Sequence, residues 1–133
     1  NYYKDISKGL YNSALDEIKR FNKKIISSSS SRDIKIYVKK IEVPGVFEIP
    51  VTISKNIKKY DGFIALGCVI KGQTPHFDFI SQASTDAIMQ LSIDNKKPIG
   101  NGIITCLNLK QAKMRKKKGA EAMKAVLSVL SQK

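Results

Sequence analysis

Residues 63–70 read Phe-Ile-Ala-Leu-Gly-Cys-Val-Ile, a nearly continuous apolar run of strand length. A strand with one face in water alternates apolar and polar residues, whereas a parallel strand with helices on both faces is apolar throughout. The run therefore predicts a central parallel strand that is covered on both sides.

Helical and strand-like segments alternate on either side of this run. Helical spacing of apolar residues predicts helices over residues 5–23, 48–59, 80–91, 109–115 and 120–130, and further strands fit residues 34–38 and 99–105. Strands separated by helices form right-handed crossovers. The pattern predicts a three-layer α/β/α domain with a doubly wound parallel sheet, formed by residues 1–133 as a single domain. Because the chain opens on a helix, we expect one more strand before Asn1.

The composition restricts the class of protein. The chain has 133 residues, of which 42% are hydrophobic and 26% charged, which is typical of one domain with one core. No apolar run reaches the roughly 18 residues of a membrane span, and no signal-peptide pattern occurs. We expect a soluble protein of the cytoplasm, or of a plastid if the source is a eukaryote. Cys68 and Cys106 are expected to be buried free thiols, and with one histidine they offer no zinc spacing.

The net charge of +13 first suggests an anionic partner, either nucleic acid or a phosphorylated ligand. The arginines are only Arg20, Arg32 and Arg115, so nearly all of the positive charge is lysine, without interleaved aromatic residues that could stack on bases. This argues against nucleic acid. A solvated lysine surface is the favoured interpretation, and a phosphorylated ligand stays open.

Ligands of an open parallel sheet bind at the carboxyl ends of its strands, which selects the loops 43–48, 71–78 and 105–118. In the middle loop, the amides of Gln73 and Thr74 could hold an anion, and His76 could move protons near neutral pH. A lone histidine at a helix start is more often a surface or capping residue, so both interpretations remain.

The two outer loops have equally plain alternatives. Val46-Phe47-Glu48 follows a Pro-Gly turn, and its backbone could bind the edge of a flat heterocycle, or the segment could be a turn with one buried Phe. Arg115 and the three lysines that follow it could bind phosphate or form a solvated basic turn.

Three segments, in this order and spacing, carry a resemblance to a known family. They are Val43-Pro-Gly-Val-Phe-Glu-Ile-Pro50, Ala65-Leu-Gly-Cys-Val-Ile-Lys-Gly-Gln-Thr-Pro-His-Phe-Asp78 and Lys118-Gly-Ala-Glu-Ala122. Together they resemble the 6,7-dimethyl-8-ribityllumazine synthases, over nearly the whole chain. The resemblance implies a flavodoxin-like fold and the penultimate step of riboflavin biosynthesis. In that step 5-amino-6-(D-ribitylamino)uracil condenses with 3,4-dihydroxy-2-butanone 4-phosphate, without metal or organic cofactor.

The resemblance also implies roles for individual residues. His76 would be the acid and base, a role that suits an imidazole near pH 7. The amides of Gln73 and Thr74 would bind the phosphate, with Arg115 as its charged clamp. The remaining substrate contacts would come from Val46, Phe47, Glu48, Val69, Ile70 and Lys118, the first three for the ribityl chain, the next two for the pyrimidine and the last for the uracil ring.

The chain departs from the family pattern at three places. The aromatic residue that stacks on the pyrimidine would lie immediately before Asn1. Asn101 occupies the position of a second, partnering aromatic residue, and would offer a polar contact instead. Between Arg115 and Lys118 the chain is shorter than the usual glycine-containing loop.

The resemblance implies an assembly as well. Members of the family form homopentamers, sometimes stacked into larger shells, with each site shared across a subunit interface. A non-catalytic module that binds lumazine or flavin is the alternative function, suggested by Asn101 and the short basic loop.

Overall fold

The computed structural model of the protein describes residues 2–27, 35–72 and 76–132. Gln73, Thr74 and most of the serine-rich loop that the sequence predicts after the first helix lie outside the described residues. In chain order the elements are α1 (Tyr2–Ser27), a 3₁₀ turn (Val46–Glu48), α2 (Ile49–Asn56), β1 (Phe63–Ile70), α3 (His76–Asn95), β2 (Ile99–Cys106), α4 (Leu109–Met114) and α5 (Lys118–Leu130).

The sheet of the described residues consists of β1 and β2, which run parallel. Their register pairs Phe63 with Ile99 at one end and Ile70 with Cys106 at the other. The connection between them is α3, as a parallel pair requires. The parallel strand predicted from the apolar run is therefore confirmed with its bounds.

Helices cover both faces of this sheet. Successive strand side chains point to opposite faces. On one face, Ile104 and Cys106 pack with Ile6 and Leu10 of α1, and farther along this face Met123 of α5 joins the core. On the other face, the core is formed by Ile49, Ile53, Ala65 and Ile88, from α2, β1 and α3. The α/β class with helices on both sides of a parallel sheet is confirmed.

α5 packs so closely on β2 that one position of the strand has no room for a side chain. A Cβ atom added at Gly100 would collide with the carbonyl oxygen of Ala122, a backbone atom that cannot turn away. The helix axis thus lies nearer the sheet than side chains at this position would allow.

The strand predicted over residues 34–38 is wrong within the described residues, because residues 35–43 have no regular secondary structure. Ile36 packs against the core beside Ile64, but Tyr37 is 85% exposed and Val38 is also exposed. Alternating apolar and polar residues indicate that one face of the segment is buried. A strand also needs hydrogen bonds to a neighbouring strand, which this pattern does not predict. Neither strand of the described sheet pairs with this segment.

Helix ends differ slightly from their predicted positions. The predicted helix over residues 48–59 is divided into the 3₁₀ turn and α2, which has Pro50 in its first turn and ends at Asn56. α1 extends beyond residue 23 to Ser27, and α5 begins at Lys118 rather than at residue 120. No helix in the described ranges is long and apolar enough to cross a membrane.

Both cysteines are free thiols, as expected. Cys106 is buried and Cys68 is half-buried. They lie on the same face of the two neighbouring strands, offset by two positions in the register. Burial, together with the charge and the hydrogen bond of neighbouring Cys106, raises the pKa of the Cys68 thiol from 9.0 to about 11.

Candidate active site

The carboxyl ends of the two strands meet at one edge of the sheet. Val69 is the register partner of Thr105, and the backbone N–H of Lys71 continues the pairing by donating to the carbonyl oxygen of Cys106 at 2.8 Å. This edge lies next to the loops that the sequence selects as ligand-binding. The predicted site residues are distributed around it in two groups.

The first group is built on the 3₁₀ turn. Gly45 is extended, with φ of −162°, and its carbonyl oxygen accepts a hydrogen bond from the N–H of Glu48 at 3.2 Å. The turn is held against β1 by Val46, whose Cγ2 lies where a side chain at Gly67 would be, 2.8 Å from an added Cβ. The position of the turn therefore depends on the absence of a side chain at Gly67.

Phe47 in this turn is 69% exposed, so the alternative of a turn with one buried Phe is wrong. An exposed aromatic ring beside the carboxyl end of a strand is available to contact a ligand. Glu48 is fixed through its backbone, because its carbonyl oxygen accepts a hydrogen bond from the Thr52 hydroxyl at 2.8 Å.

Val69 and Ile70 end β1, and both are half-buried. Ile70 packs with the α1 core, so its side chain leaves the face of the sheet on which the 3₁₀ turn lies. Val69, the neighbouring residue, faces the opposite way. Only Val69 can therefore offer a side chain on the same face as the 3₁₀ turn, whereas Ile70 can contribute its backbone.

His76 is the first residue of α3, which starts after the loop that follows β1. This places the only histidine of the chain at the carboxyl edge of the sheet, at the amino end of a helix. α3 packs against both the 3₁₀ turn and α2.

The second group lines a pocket of about 650 Å³ along β2, from Asn101 to Thr105. Its lining residues come from α3, β2, the turn after α4 and the start of α5, and they are Thr85, Asn101, Ile103, Ile104, Thr105, Met114, Arg115, Lys117, Lys118 and Glu121. Three predicted site residues, Asn101, Arg115 and Lys118, are brought together here. The lining includes three cationic residues and one carboxylate, so the pocket carries a net positive charge that attracts anions.

Arg115 is tied to the sheet edge. Its Nη1 donates a hydrogen bond to the carbonyl oxygen of Thr105 at 2.8 Å, and Thr105 is the register partner of Val69. Upstream, Asn108 caps α4 by accepting from the N–H of Gln111 at 2.9 Å. The guanidinium thus lies one strand away from Val69, and this hydrogen bond uses only one of its five N–H donors.

The other two predicted residues of the pocket have weaker partners. The Nζ of Lys118 lies 3.2 Å from Oε2 of Glu121, with both side chains largely exposed, an ion pair of little net stability. The Oδ1 of Asn101 accepts from the N–H of Ile103 at 3.0 Å. Among the described residues, no acceptor is paired with the amide nitrogen of Asn101, which leaves a donor for a ligand.

The two groups form separate walls within one chain. The pocket is lined by none of the residues of the 3₁₀ turn and by neither Val69 nor Ile70. The strand pairing of Val69 with Thr105 connects the two groups, and Ile103 of the pocket lies in the same core cluster as Val46.

Residues 1–133 match the family model of 6,7-dimethyl-8-ribityllumazine synthase. The chain belongs to this family. The resemblance drawn from the three sequence segments is thereby confirmed.

Individual lumazine synthases are similar to this chain at about the same level. The synthase of Corynebacterium kroppenstedtii is 43% identical over 94 residues, which cover 65% of this chain and 59% of that protein. Synthase 1 of Rhodopseudomonas palustris is 37% identical over 141 residues, covering 97% of this chain and 78% of that protein. The synthase of Agrobacterium fabrum is 43% identical over 102 residues, covering 68% and 69%. The match to the Corynebacterium protein therefore spans less than two thirds of that protein's length.

Four polar residues of the pocket were not predicted as site residues from the sequence, namely Thr85, Thr105, Lys117 and Glu121. Lys117 belongs to the basic run that the sequence analysis noted as a whole, and Glu121 lies at helical spacing from Lys118, a signal that could have revealed it. Thr85 carries no local signal, because its place in the pocket depends on how α3 packs. Among the described residues, no group of three or more His, Cys, Asp or Glu could hold a metal ion.

Proposed function

We propose that this protein condenses 5-amino-6-(D-ribitylamino)uracil with 3,4-dihydroxy-2-butanone 4-phosphate to give 6,7-dimethyl-8-ribityllumazine, phosphate and water, as a transferase of riboflavin biosynthesis. The observation that carries the proposal is the basic pocket along β2, where Arg115, Lys118 and Asn101 converge in a chain of this family. The relatives named above are synthases, which favours the catalytic function over a module that only binds lumazine or flavin.

The chemistry needs proton transfer and an anion site, and no metal or organic cofactor. The amine of the uracil attacks the ketone of the sugar and loses water to form an imine, phosphate leaves by elimination, and ring closure loses a further water. Each step moves a proton to or from nitrogen, carbon or oxygen. An imidazole can both donate and accept near pH 7, so His76 is assigned these transfers.

The phosphate is assigned to the basic pocket. Arg115 keeps its guanidinium at the sheet edge through Thr105, with donors left to make a charge-assisted pair with phosphate oxygens. The amides of Gln73 and Thr74 are assigned to the same phosphate by the family resemblance, and Lys118 to the uracil ring. Lys118 can release Glu121 and bind the substrate with little loss of free energy, because the ion pair between Lys118 and Glu121 is exposed.

The pyrimidine ring and its ribityl chain are assigned to the first group of residues, around the 3₁₀ turn. Phe47 is exposed and so free to contact the ligand, and Val69 presents a side chain on the same face of the sheet as the 3₁₀ turn. Val46 and Glu48 bind the ribityl chain with their backbone groups, and Ile70 contacts the pyrimidine through its backbone. The free amide donor of Asn101 replaces aromatic stacking with a hydrogen bond.

We propose further that the complete site forms between two copies of the chain in a homopentamer or a multiple of it. The separation of the predicted residues into two walls supports this, because a site completed by a neighbour explains why neither wall is sufficient. A flavodoxin-like strand order fits the parallel pair with helices on both faces. Free cysteines suit the reducing cytoplasm. The proposal has no role for nucleic acid or for a membrane.

The test is the rate of lumazine formation by the purified protein with both substrates, followed by absorbance. The wild type is expected to form product, and His76→Gln is expected to fold, to assemble to the same mass by light scattering, and to lose about 10²–10⁴-fold in kcat, the usual contribution of a general acid–base group. Tight binding of lumazine without turnover by the wild type would favour the non-catalytic alternative. An unchanged rate for His76→Gln would remove His76 from its assigned role.

A further inference from the structure

Ser13 of α1 makes contacts outside its own helix, with the turn that follows Arg115. Its Oγ lies 2.9 Å from the carbonyl oxygen of Lys116 and 2.9 Å from that of Leu10, so it can donate to either. The same oxygen accepts a hydrogen bond from the backbone N–H of Ala120 at 3.1 Å. One hydroxyl therefore bridges α1, the turn and the first turn of α5.

This hydroxyl adds a side-chain partner at the start of α5. The residue before α5, Lys117, makes no side-chain capping hydrogen bond. The first N–H groups of a helix lack the usual carbonyl partner four residues earlier, and that of Ala120 is shared between the carbonyl oxygen of Lys117 at 3.0 Å and Oγ of Ser13 at 3.1 Å. Here the capping oxygen comes from α1, more than a hundred positions earlier in the chain.

The surrounding packing leaves the turn little freedom. A Cβ atom added at Gly119 would collide with the carbonyl oxygen of Leu10 and would lie 2.6 Å from Oγ of Ser13. The aliphatic part of Lys116 lies over Gly9. The backbone from Lys116 to Ala120 is thus in direct contact with α1, and Ser13 is the polar group in that contact.

We propose that Ser13 is a positioning residue for Arg115 in the phosphate site, which rests on the function proposed above. Arg115 is held at two places, by its guanidinium on Thr105 and by its backbone at the start of the turn. Ser13 fixes the carbonyl of the next residue, so its loss lets the turn shift and moves the guanidinium away from the phosphate. Lys118 is affected less, because its long and exposed side chain can reach the ligand from a shifted backbone.

The test compares Ser13→Ala with Ser7→Ala, a control that makes the same change at an exposed serine of the same helix. Loss of a hydrogen bond that positions the clamp is expected to raise KM for the phosphorylated sugar about fivefold, with kcat and KM for the uracil changed less than about twofold. The control is expected to match the wild type. A purely structural role would lower the active fraction and hence kcat, without this selective change in KM.

A double variant separates action through Arg115 from any other route. In the Arg115→Ala background, Ser13→Ala is expected to have no further effect on KM for the phosphorylated sugar. An undiminished fivefold effect in that background, or equal changes of KM for both substrates, would overturn the proposal.

Amide hydrogen exchange keeps this test independent of turnover. In Ser13→Ala the N–H of Ala120 and those of the turn are expected to exchange faster than in the wild type, whether or not the protein forms lumazine. Unchanged exchange would show that Ser13 does not hold the turn. A wild type that forms no product but shows the exchange effect would contradict the proposed function alone. Should Ser13→Ala not fold, Ser13→Cys, which keeps a side chain of similar size but is only a weak donor and acceptor, gives the same comparison, and failure of both to fold would show a structural role instead.

Discussion

Replacement of Arg115 by alanine removes the guanidinium from the pocket and leaves the fold nearly intact. The side chain is exposed, and its one described hydrogen bond goes to the Thr105 carbonyl at 2.8 Å. An exposed hydrogen bond of this kind contributes less than about 1 kcal/mol to the free energy of unfolding. The thermal midpoint should therefore change by only a few degrees.

The effect on substrate binding is expected to be larger. Hydrogen bonds to a charged group contribute about 1.5–3 kcal/mol, and each 1.4 kcal/mol corresponds to about a tenfold change in affinity. Arg115→Ala should accordingly raise KM for the phosphorylated sugar about 10- to 150-fold. Arg115→Lys should give an intermediate value, because an ammonium keeps the charge but not the forked pair of donors.

The assay measures initial rates at saturating ribitylaminouracil while the phosphorylated sugar is varied. Arg20→Ala is the matched control, since Arg20 lies on α1, pairs with Glu17 at 3.3 Å and is largely exposed. It removes the same charge from a residue that does not line the pocket. A KM that is unchanged in Arg115→Ala, or raised equally in Arg20→Ala, would refute the assignment of the phosphate to this pocket.

Three further predictions concern packing, the thiols and the shared site. Gly100→Ala should lower the free energy of unfolding by about 1–3 kcal/mol, because the new Cβ meets the backbone of α5. Gly72→Ala is the control and should change this free energy little, because no atom lies within 4 Å of an added Cβ. Equal denaturation midpoints for the two variants would contradict the close packing of α5 on β2. The Cys68 thiol, with its pKa raised to about 11, should react with a disulfide reagent at pH 8 about a hundredfold more slowly than a thiol of pKa 9.0. Since the unfolded thiol loses its proton first between pH 9 and 11, the wild type should lose more stability over that window than Cys68→Ala, and parallel pH profiles would exclude the shift. If each site forms between two copies, subunits of His76→Gln and Arg115→Ala that are mixed and reassembled should regain activity. With random mixing, up to about a quarter of the wild-type activity is expected, because that share of sites would combine an intact His76 with an intact Arg115. No recovery would place each site within one chain.

The layered part of the fold was predictable because its signals are local. The apolar run at Phe63–Ile70 correctly indicated a strand that is covered on both faces. The predicted strand over residues 99–105 ends one residue before the observed end of β2 at Cys106. The helix over residues 109–115 was placed with similar accuracy. Each of these segments has a continuous or periodic pattern of apolar residues that can be recognised from its own sequence.

The segment at residues 35–43 shows where this reasoning stops. Its alternation correctly indicated that Ile36 is partly buried, but a strand is defined by its hydrogen-bonded neighbour, which the pattern of one segment cannot supply. The single-domain extent of residues 1–133 and the strand expected before Asn1 stay predictions.

The candidate site was predictable in composition but not in arrangement. The motifs indicated Asn101, Arg115 and Lys118, which share the pocket. They did not indicate that Phe47 is exposed or that Ile70 turns to the α1 face, because both depend on how the turn and strand pack. Ser13 carries no motif at all, since its contact joins segments that are distant in the sequence.

The most direct test of the central claim is to measure phosphate and lumazine together while the purified protein acts on both substrates. The account predicts that both rise at the same rate, in a ratio of one to one, and that neither rises when either substrate is omitted. Phosphate release without lumazine, or no release above the uncatalysed rate, would contradict it.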